Sequence, residues 1–178
     1  EVKVSKNGAS AMYGDGVSSI IDMKSSSTIS NKISGGLGFN MISADAYTKI
    51  PLRDKLELQL SIRRSLTDLI KTPTYDTYYK RIFQDTDLTQ ITANSISSNE
   101  TFYFYDTSSK LTFDVTPKDK ITFNSLIIYN NLNYDEQSSI NNVNEALQSN
   151  LTQKNLAFGI QHQRTWNKKL ETYAQIYL

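Results

Sequence analysis

The chain has 178 residues, a formal net charge of +1, one histidine and no cysteine. The lack of cysteine excludes disulfides, thiolate metal sites and cysteine nucleophiles, and the scattered lysines and arginines do not form the basic stripe that nucleic-acid binding requires. No apolar run approaches the roughly 20 residues of a membrane-spanning helix. The 11 Tyr and 7 Phe, among many Ser, Thr and Asn, suit a β-sheet protein, whether soluble or membrane-spanning.

The N-terminal part contains a glycine-rich turn followed by a short strand. Gly8, Gly14 and Gly16 allow backbone conformations that other residues rarely adopt, and residues 17–23 form a β-rich run. This order of residues resembles the motif Tyr-Gly-x-x-x-Ser-Ser-hydrophobic-x-Asp that ends the plug domain of TonB-dependent outer-membrane receptors of the Bacteroidota type. The matching residues are Tyr13, Gly14, Ser18, Ser19, Ile20 and Asp22.

Antiparallel strands are predicted after residue 30, with consecutive strands paired as neighbours. They cover residues 33–41, 44–50, 55–66, 101–116, 121–134, 151–166 and 170–178. In the third of these segments Leu56, Leu58, Leu60 and Ile62 alternate with polar residues, which places one face against lipid or a core and the other against water. The predicted fold class is an all-β antiparallel meander.

Short turns alternate with long connections in this part of the chain. Tight polar turns are predicted at residues 52–55, 117–120 and 167–169, and long polar loops over residues 67–99 and 135–150. Short turns on one side and long loops on the other are typical of bacterial outer-membrane barrels. A soluble sandwich keeps most of its connections short.

An aromatic cluster lies at the loop end of the strand over residues 101–116. It consists of Phe102, Tyr103, Phe104 and Tyr105. Its position predicts an aromatic girdle at a membrane interface. The alternative is an aromatic cluster within a soluble sheet.

The segment 73–83 combines aromatic side chains with both signs of charge. Stacking faces and a few hydrogen-bonding groups are what capture of a sugar, a peptide or a metal chelate requires. If the chain contacts a ligand, the candidate residues are Tyr75, Tyr78, Tyr79 and Arg81. The competing explanation is that these residues only pack a loop.

No catalytic or metal-binding motif is recognisable in the sequence. His162 stands between two glutamines and has no neighbouring Cys, Asp or Glu that could complete a metal site. Asp85 and Asp87 lack the following glycine and distal glutamate of a calcium-binding loop. We therefore expect a protein that is not an enzyme and that uses no cofactor or metal.

The resemblance to TonB-dependent receptors implies both an architecture and a function. Such a receptor closes 22 strands around a plug, which requires more than roughly 400 residues. The resemblance therefore makes residues 1–30 the C-terminal end of the plug domain and residues 31–178 the first strands of an incomplete transmembrane β-barrel. The intact receptor would import a scarce nutrient, such as a chelated metal, a saccharide or a peptide, across the bacterial outer membrane.

The resemblance also implies partners for the chain. These are outer-membrane lipid, the remainder of the barrel, the nutrient, and the TonB complex, which would bind parts of the receptor outside this chain. The sequence also allows two other hypotheses for the function. One is a soluble all-β adhesin or ligand-binding domain; the other is a hydrolase on a β scaffold, for which the sequence offers no catalytic set.

Overall fold

A computed structural model describes residues 2–6, 19–83, 95–140 and 143–178, and most of them form antiparallel β-strands. Strands β1 (Val2–Ser5) and β2 (Ile20–Met23) pair as a separate two-stranded sheet. This confirms the strand predicted after the glycine-rich turn; β2 begins at Ile20, and residues 17 and 18 lie outside the described residues.

A seven-stranded sheet follows, in which every strand pairs with its neighbours along the chain. The strands are β3 (Ser34–Phe39), β4 (Ser43–Arg53), β5 (Leu56–Ser65), β6 (Ser95–Asp114), β7 (Asp119–Ile140), β8 (Val143–Asn167) and β9 (Leu170–Tyr177). All of the pairings are antiparallel. The predicted all-β antiparallel meander is therefore confirmed, and each predicted strand is present.

The tight turns are stabilised by side chains that accept hydrogen bonds from the backbone. Between β6 and β7, the Thr116 hydroxyl accepts from the N–H groups of Lys118 and Asp119 at 3.1 and 3.0 Å. Between β8 and β9, the side-chain oxygen of Asn167 accepts from the N–H groups of Lys169 and Leu170. These are the local hydrogen bonds that make Thr and Asn favourable in turns, and the predicted hairpins are confirmed.

The glycines of β3 allow the backbone and side chains of β4 to approach closely. A Cβ atom on Gly36 would lie 2.7 Å from the ring of Tyr47, and one on Gly38 would lie 2.5 Å from the carboxylate of Asp45. Larger residues at these positions would displace side chains of β4. The glycines of β3 therefore permit close packing against β4.

The sheet has two chemically different faces. Leu56, Leu58, Leu60 and Ile62 share one face of β5, as predicted, because the register of β5 with β6 is regular over this stretch. We call this side of the sheet the apolar face. Leu111 of β6 lies on it as the cross-strand partner of Leu58. Many of its side chains are solvent-exposed, namely Leu37, Phe39, Ile62, Phe113, Ile121, Ile127, Leu156, Phe158, Ile160 and Ile176.

The opposite side of the sheet, which we call the polar face, carries mostly hydrophilic residues in its central strands. From β5 it receives Glu57, Gln59 and Ser61, and their partners on β6 are Thr112, Lys110 and Ser108. Glu57, Thr112 and Thr122 are buried there. The sheet therefore buries polar groups on one side and leaves apolar groups exposed on the other.

Two of the loop predictions are wrong. Residues 67–99 are not all loop, because helix α1 (Pro73–Phe83) lies within them and β6 begins at Ser95. The Thr72 hydroxyl accepts a hydrogen bond from the N–H of Tyr75 at 3.2 Å, which is the geometry of an N-cap. Pro73 follows at the first helical position, where its missing N–H costs nothing.

Residues 135–150 are not a polar loop either, since β7 and β8 stay paired as far as Ile140 and Val143. Polar cross-strand contacts line this hairpin: the Asn131 amide donates to the Thr152 hydroxyl at 2.9 Å, and Asn150 bonds to Asn133. Backbone pairing thus extends these strands without any apolar alternation. In the described part of the chain, no helix has the length and apolar character needed to cross a membrane.

Candidate functional site

The segment that joins β2 to β3 crosses the polar face of the large sheet. We call residues 24–33 the connecting segment. The Glu57 side chain is 0% exposed and contacts this segment, because its Oε2 accepts a hydrogen bond from the N–H of Ser30 at 2.7 Å. Its other oxygen, Oε1, accepts a hydrogen bond from the amide of the neighbouring Gln59 at 2.8 Å. A buried carboxylate is tolerated when hydrogen bonds satisfy its oxygens, as they do here.

Lysines from β6 and β7 hold the serines of the connecting segment. Nζ of Lys110 donates to the hydroxyl of Ser27 at 2.8 Å and lies within 3.2 Å of oxygens of Ser25 and Ser26. Nζ of Lys120 donates to the carbonyl of Ser27 at 2.7 Å. The segment has no strand partner of its own, and these ammonium groups satisfy its carbonyls.

The strand register brings these groups together. Gln59 and Lys110 are direct cross-strand partners, and the Gln59 amide also donates to the carbonyl of Ser26 at 2.9 Å. Lys120, the second residue of β7, is the cross-strand partner of Asp114, and its ammonium lies 3.5 Å from the Asp114 carboxylate. Side chains from β5, β6 and β7 thus converge on one short stretch of backbone.

Helix α1 covers another part of the polar face. Tyr75 is 4% exposed and packs with Leu132 and Phe102, which are partners across β6 and β7. The end of β5 and the turn that follows it are attached to β6. The Ser65 hydroxyl accepts a hydrogen bond from the N–H of Phe104 at 2.9 Å, and the Thr67 hydroxyl donates one to the carbonyl of Phe102. The polar face is therefore covered at two places along β6, near the tight turn by the connecting segment and near the middle of the strand by α1.

The predicted ligand-contact residues all lie on α1. Tyr75 contributes to the packing just described, and Arg81 is exposed. Tyr78 and Tyr79 are helical, but their side chains lie outside the described residues. The assignment of these four residues to a ligand stays a prediction.

The plug-like motif is described only in part. Tyr13, Gly14 and Ser18 lie outside the described residues. The same is true of Asp85 and Asp87, the two aspartates that were compared with a calcium-binding loop. Ser19 is exposed just before β2. Asp22 is in β2, opposite Lys3, and its carboxylate lies 3.1 Å from the Lys24 ammonium. The motif therefore leads directly into the connecting segment.

The predicted aromatic girdle is divided between the two faces. Tyr103 and Tyr105 lie on the apolar face, where the rings of Tyr105 and Tyr129 stack with centroids 4.8 Å apart. Phe102 and Phe104 lie on the polar face, so including them in one girdle was wrong. The reason is the period of two in a strand, which sends consecutive side chains to opposite faces.

Trp166 borders the apolar face at the opposite end of the sheet, where the tight turns lie. The Arg164 guanidinium lies 4.3 Å from the centroid of the Trp166 ring, and Nε1 of Trp166 donates to the Thr172 hydroxyl. Arg164 pairs with Asp119 across β8 and β7. Aromatic residues therefore border the apolar face at both ends.

The single histidine takes part in a polar cluster at this turn. Oδ1 of Asp119 lies 3.3 Å from Nε2 of His162 and 3.0 Å from the Arg164 guanidinium. The Thr116 hydroxyl bond, then Arg164 and His162, lower the pKa of the Asp119 carboxyl. The described residues contain no group of His, Cys, Asp and Glu that could hold a metal ion.

Comparisons with known proteins gave one structural likeness. No family model and no curated protein matches the sequence. The likeness is to the crystal structure of Ail, the attachment invasion locus protein of Yersinia pestis, over 82% of this chain and 77% of that one, with 8% identity and a TM-score of 0.31. The all-β meander rests on the strand pairing itself.

Proposed function

We propose that this chain is the end of the plug domain and the first part of the barrel of a TonB-dependent outer-membrane receptor. The observation that carries the proposal is that the connecting segment is held across the polar face, while the opposite face of the same sheet is apolar and exposed. A soluble sheet buries its apolar face and exposes its polar one. A transmembrane barrel does the reverse, with an apolar exterior and a polar interior.

The extent of the apolar face supports the membrane assignment. On β7, about ten residues separate Tyr129, which carries the stacked ring, from Asp119 at the turn. At about 3.4 Å per residue and a tilt near 45°, they span roughly 24 Å along the membrane normal. An apolar band of about 25 Å between aromatic girdles is typical of outer-membrane barrels.

The contacts on the polar face suggest how import would act on this part of the chain. A force applied to a plug through β2 would reach the serines of the connecting segment first. Lys110, Lys120 and Gln59 would release those serines before Glu57 released Ser30. The sheet would stay in the membrane, and the connecting segment would move relative to its polar face.

The alternative is a soluble all-β adhesin or ligand-binding domain. The polar part of the β7–β8 hairpin, which continues well beyond Tyr129, is consistent with a binding surface exposed outside the cell. The exposed apolar face weighs against a soluble protein, because monomeric soluble proteins rarely expose large contiguous apolar areas.

Fractionation and uptake of the intact protein would test the proposal. We expect it to be recovered from outer membranes only with detergent. Cells that contain it should accumulate a radioiron chelate, a labelled oligosaccharide or a labelled oligopeptide, and a protonophore should abolish the accumulation. Recovery in the soluble fraction would contradict the membrane assignment. Membrane recovery without energised uptake of any of these probes would contradict the importer assignment.

A further inference from the structure

Four side chains form a continuous row across β5, β6, β7 and β8 on the apolar face. Arg64 pairs with Tyr105, Tyr105 with Tyr129, and Tyr129 with Lys154. Directly paired residues project to the same side of an antiparallel sheet. The row therefore consists of two tyrosines with a cation at each end, and we call it the Arg–Tyr–Tyr–Lys row.

The row lies where the apolar face ends. The next row toward the tight turns contains Ile62, Ile127 and Leu156. On the other side, Tyr103 is followed by Asn131 and then Thr152. In the membrane orientation proposed above, this boundary lies at the level of the lipid headgroups, where Tyr, Lys and Arg are favoured.

The cations of the row remain available to an anion. Nζ of Lys154 lies 5.7 Å from the centroid of the Tyr129 ring, and the side chain is exposed. Arg64 is held by Asp68 at 2.7 Å and donates to the carbonyl of Ser65, yet a guanidinium has further N–H donors. Because the Asp68 carboxylate offsets the charge of Arg64, Lys154 is the stronger attractant for an anion.

From this geometry we infer that the Arg–Tyr–Tyr–Lys row binds the phosphate group of an outer-leaflet lipid headgroup. Lys154 would form a charge-assisted hydrogen bond to a phosphate oxygen. The two tyrosine rings would contact the start of the acyl chains, and their hydroxyl groups would donate to the headgroup. The inference rests on the proposed membrane function and adds a specific lipid site to it.

The inference can be tested by comparing two lipids and three variants. The intact protein in detergent micelles would be titrated with fluorescent diphosphorylated lipid A and with the same lipid lacking its phosphates. Wild-type protein should bind the phosphorylated lipid about tenfold more tightly, as loss of a hydrogen bond to a charged group implies. Lys154→Gln should remove that preference, and Lys154→Arg should restore it.

The matched control is Lys168→Gln, which removes one positive charge from the turn between β8 and β9 at the other end of the sheet. It should bind both lipids as wild type does. Equal binding of the two lipids by wild type, or equal losses in Lys154→Gln and Lys168→Gln, would overturn the inference. Binding of inorganic phosphate as tight as that of the lipid would also overturn it. Outer-membrane fractionation of the same variants distinguishes failure of the lipid-site inference from failure of the membrane proposal, because only the latter would place the protein in the soluble fraction.

Discussion

The N–H of Ser30 donates a hydrogen bond to the carboxylate of Glu57 at 2.7 Å, although 27 residues separate them along the chain. Glu57 is fully buried, so water does not compete for this hydrogen bond while the segment is in place. The bond fixes the end of the connecting segment on the polar face immediately before β3 begins. It therefore links the segment that follows the plug-like motif to the first strands of the large sheet.

Removing the Glu57 carboxylate should release the connecting segment. Glu57→Ala leaves the N–H of Ser30 without its acceptor and removes one of the two acceptors of the Gln59 amide, which should cost about 1–3 kcal/mol. Limited trypsin digestion should then cut faster at Lys24 and Lys32, which lie near the two ends of the segment. Glu57→Gln keeps an acceptor oxygen and should show a smaller increase. Unchanged cleavage in Glu57→Ala would mean that this contact does not hold the segment.

The lysine contacts predict a separation between nutrient uptake and nutrient binding. Lys110→Met removes the ammonium that holds Ser25, Ser26 and Ser27, but it leaves α1 unchanged. In the intact receptor we expect lower uptake of the accumulated probe and unchanged binding of that probe at the cell surface. Lys118→Met, at the exposed turn between β6 and β7, is the control and should change neither. A parallel loss of both activities in Lys110→Met would contradict the prediction.

The alternation of Leu56, Leu58, Leu60 and Ile62 was sufficient to predict the faces of β5, because periodicity within one strand is a local property. The contact between Glu57 and Ser30 was not predictable in this way. It depends on the connecting segment crossing the sheet, and no spacing along the chain encodes that path. The same holds for Lys110 and Lys120, which the sequence shows only as two of many scattered lysines.

The errors in the loop regions have different physical causes. The start of helix α1 could have been predicted from the adjacent Thr72 and Pro73, because Thr is a good N-cap and Pro is favourable at the first helical position. The aromatic residues of the same segment indicated a binding loop instead. The extension of β7 and β8 had no such signal. Backbone pairing and cross-strand hydrogen bonds between polar residues such as Asn133 and Asn150 hold these strands together, and neither requires apolar and polar side chains to alternate.

Acid should weaken the turn between β6 and β7. The pKa of Asp119 is lowered by its bond from Thr116 and by Arg164 and His162, so its folded-state pKa lies below its unfolded-state value. The stabilisation is fully present above the unfolded value, about 3.9, and is lost as the pH falls through the lower folded value. Trp166, the only tryptophan of the chain, lies against Arg164 and can report the change by fluorescence. Asp119→Asn should abolish the change in Trp166 fluorescence at acid pH. If the change were the same in that variant, another group would be responsible for it.

Adjacent residues of β5 allow a direct test of which face contacts lipid. Leu60 lies on the apolar face opposite Ser109, about midway between Tyr129 and the turn, whereas Ser61 lies on the polar face opposite Ser108. An arginine on the lipid side near the bilayer midplane costs about 2–4 kcal/mol. We therefore expect Leu60→Arg to lower the unfolding free energy of the intact protein in liposomes by that amount and to reduce its level in the outer membrane. Ser61→Arg introduces the same charge one residue away on the face with polar neighbours, and it should have a much smaller effect. Denaturant titrations of both variants give the comparison, and a larger loss in Ser61→Arg would show that the polar face is the one in contact with lipid.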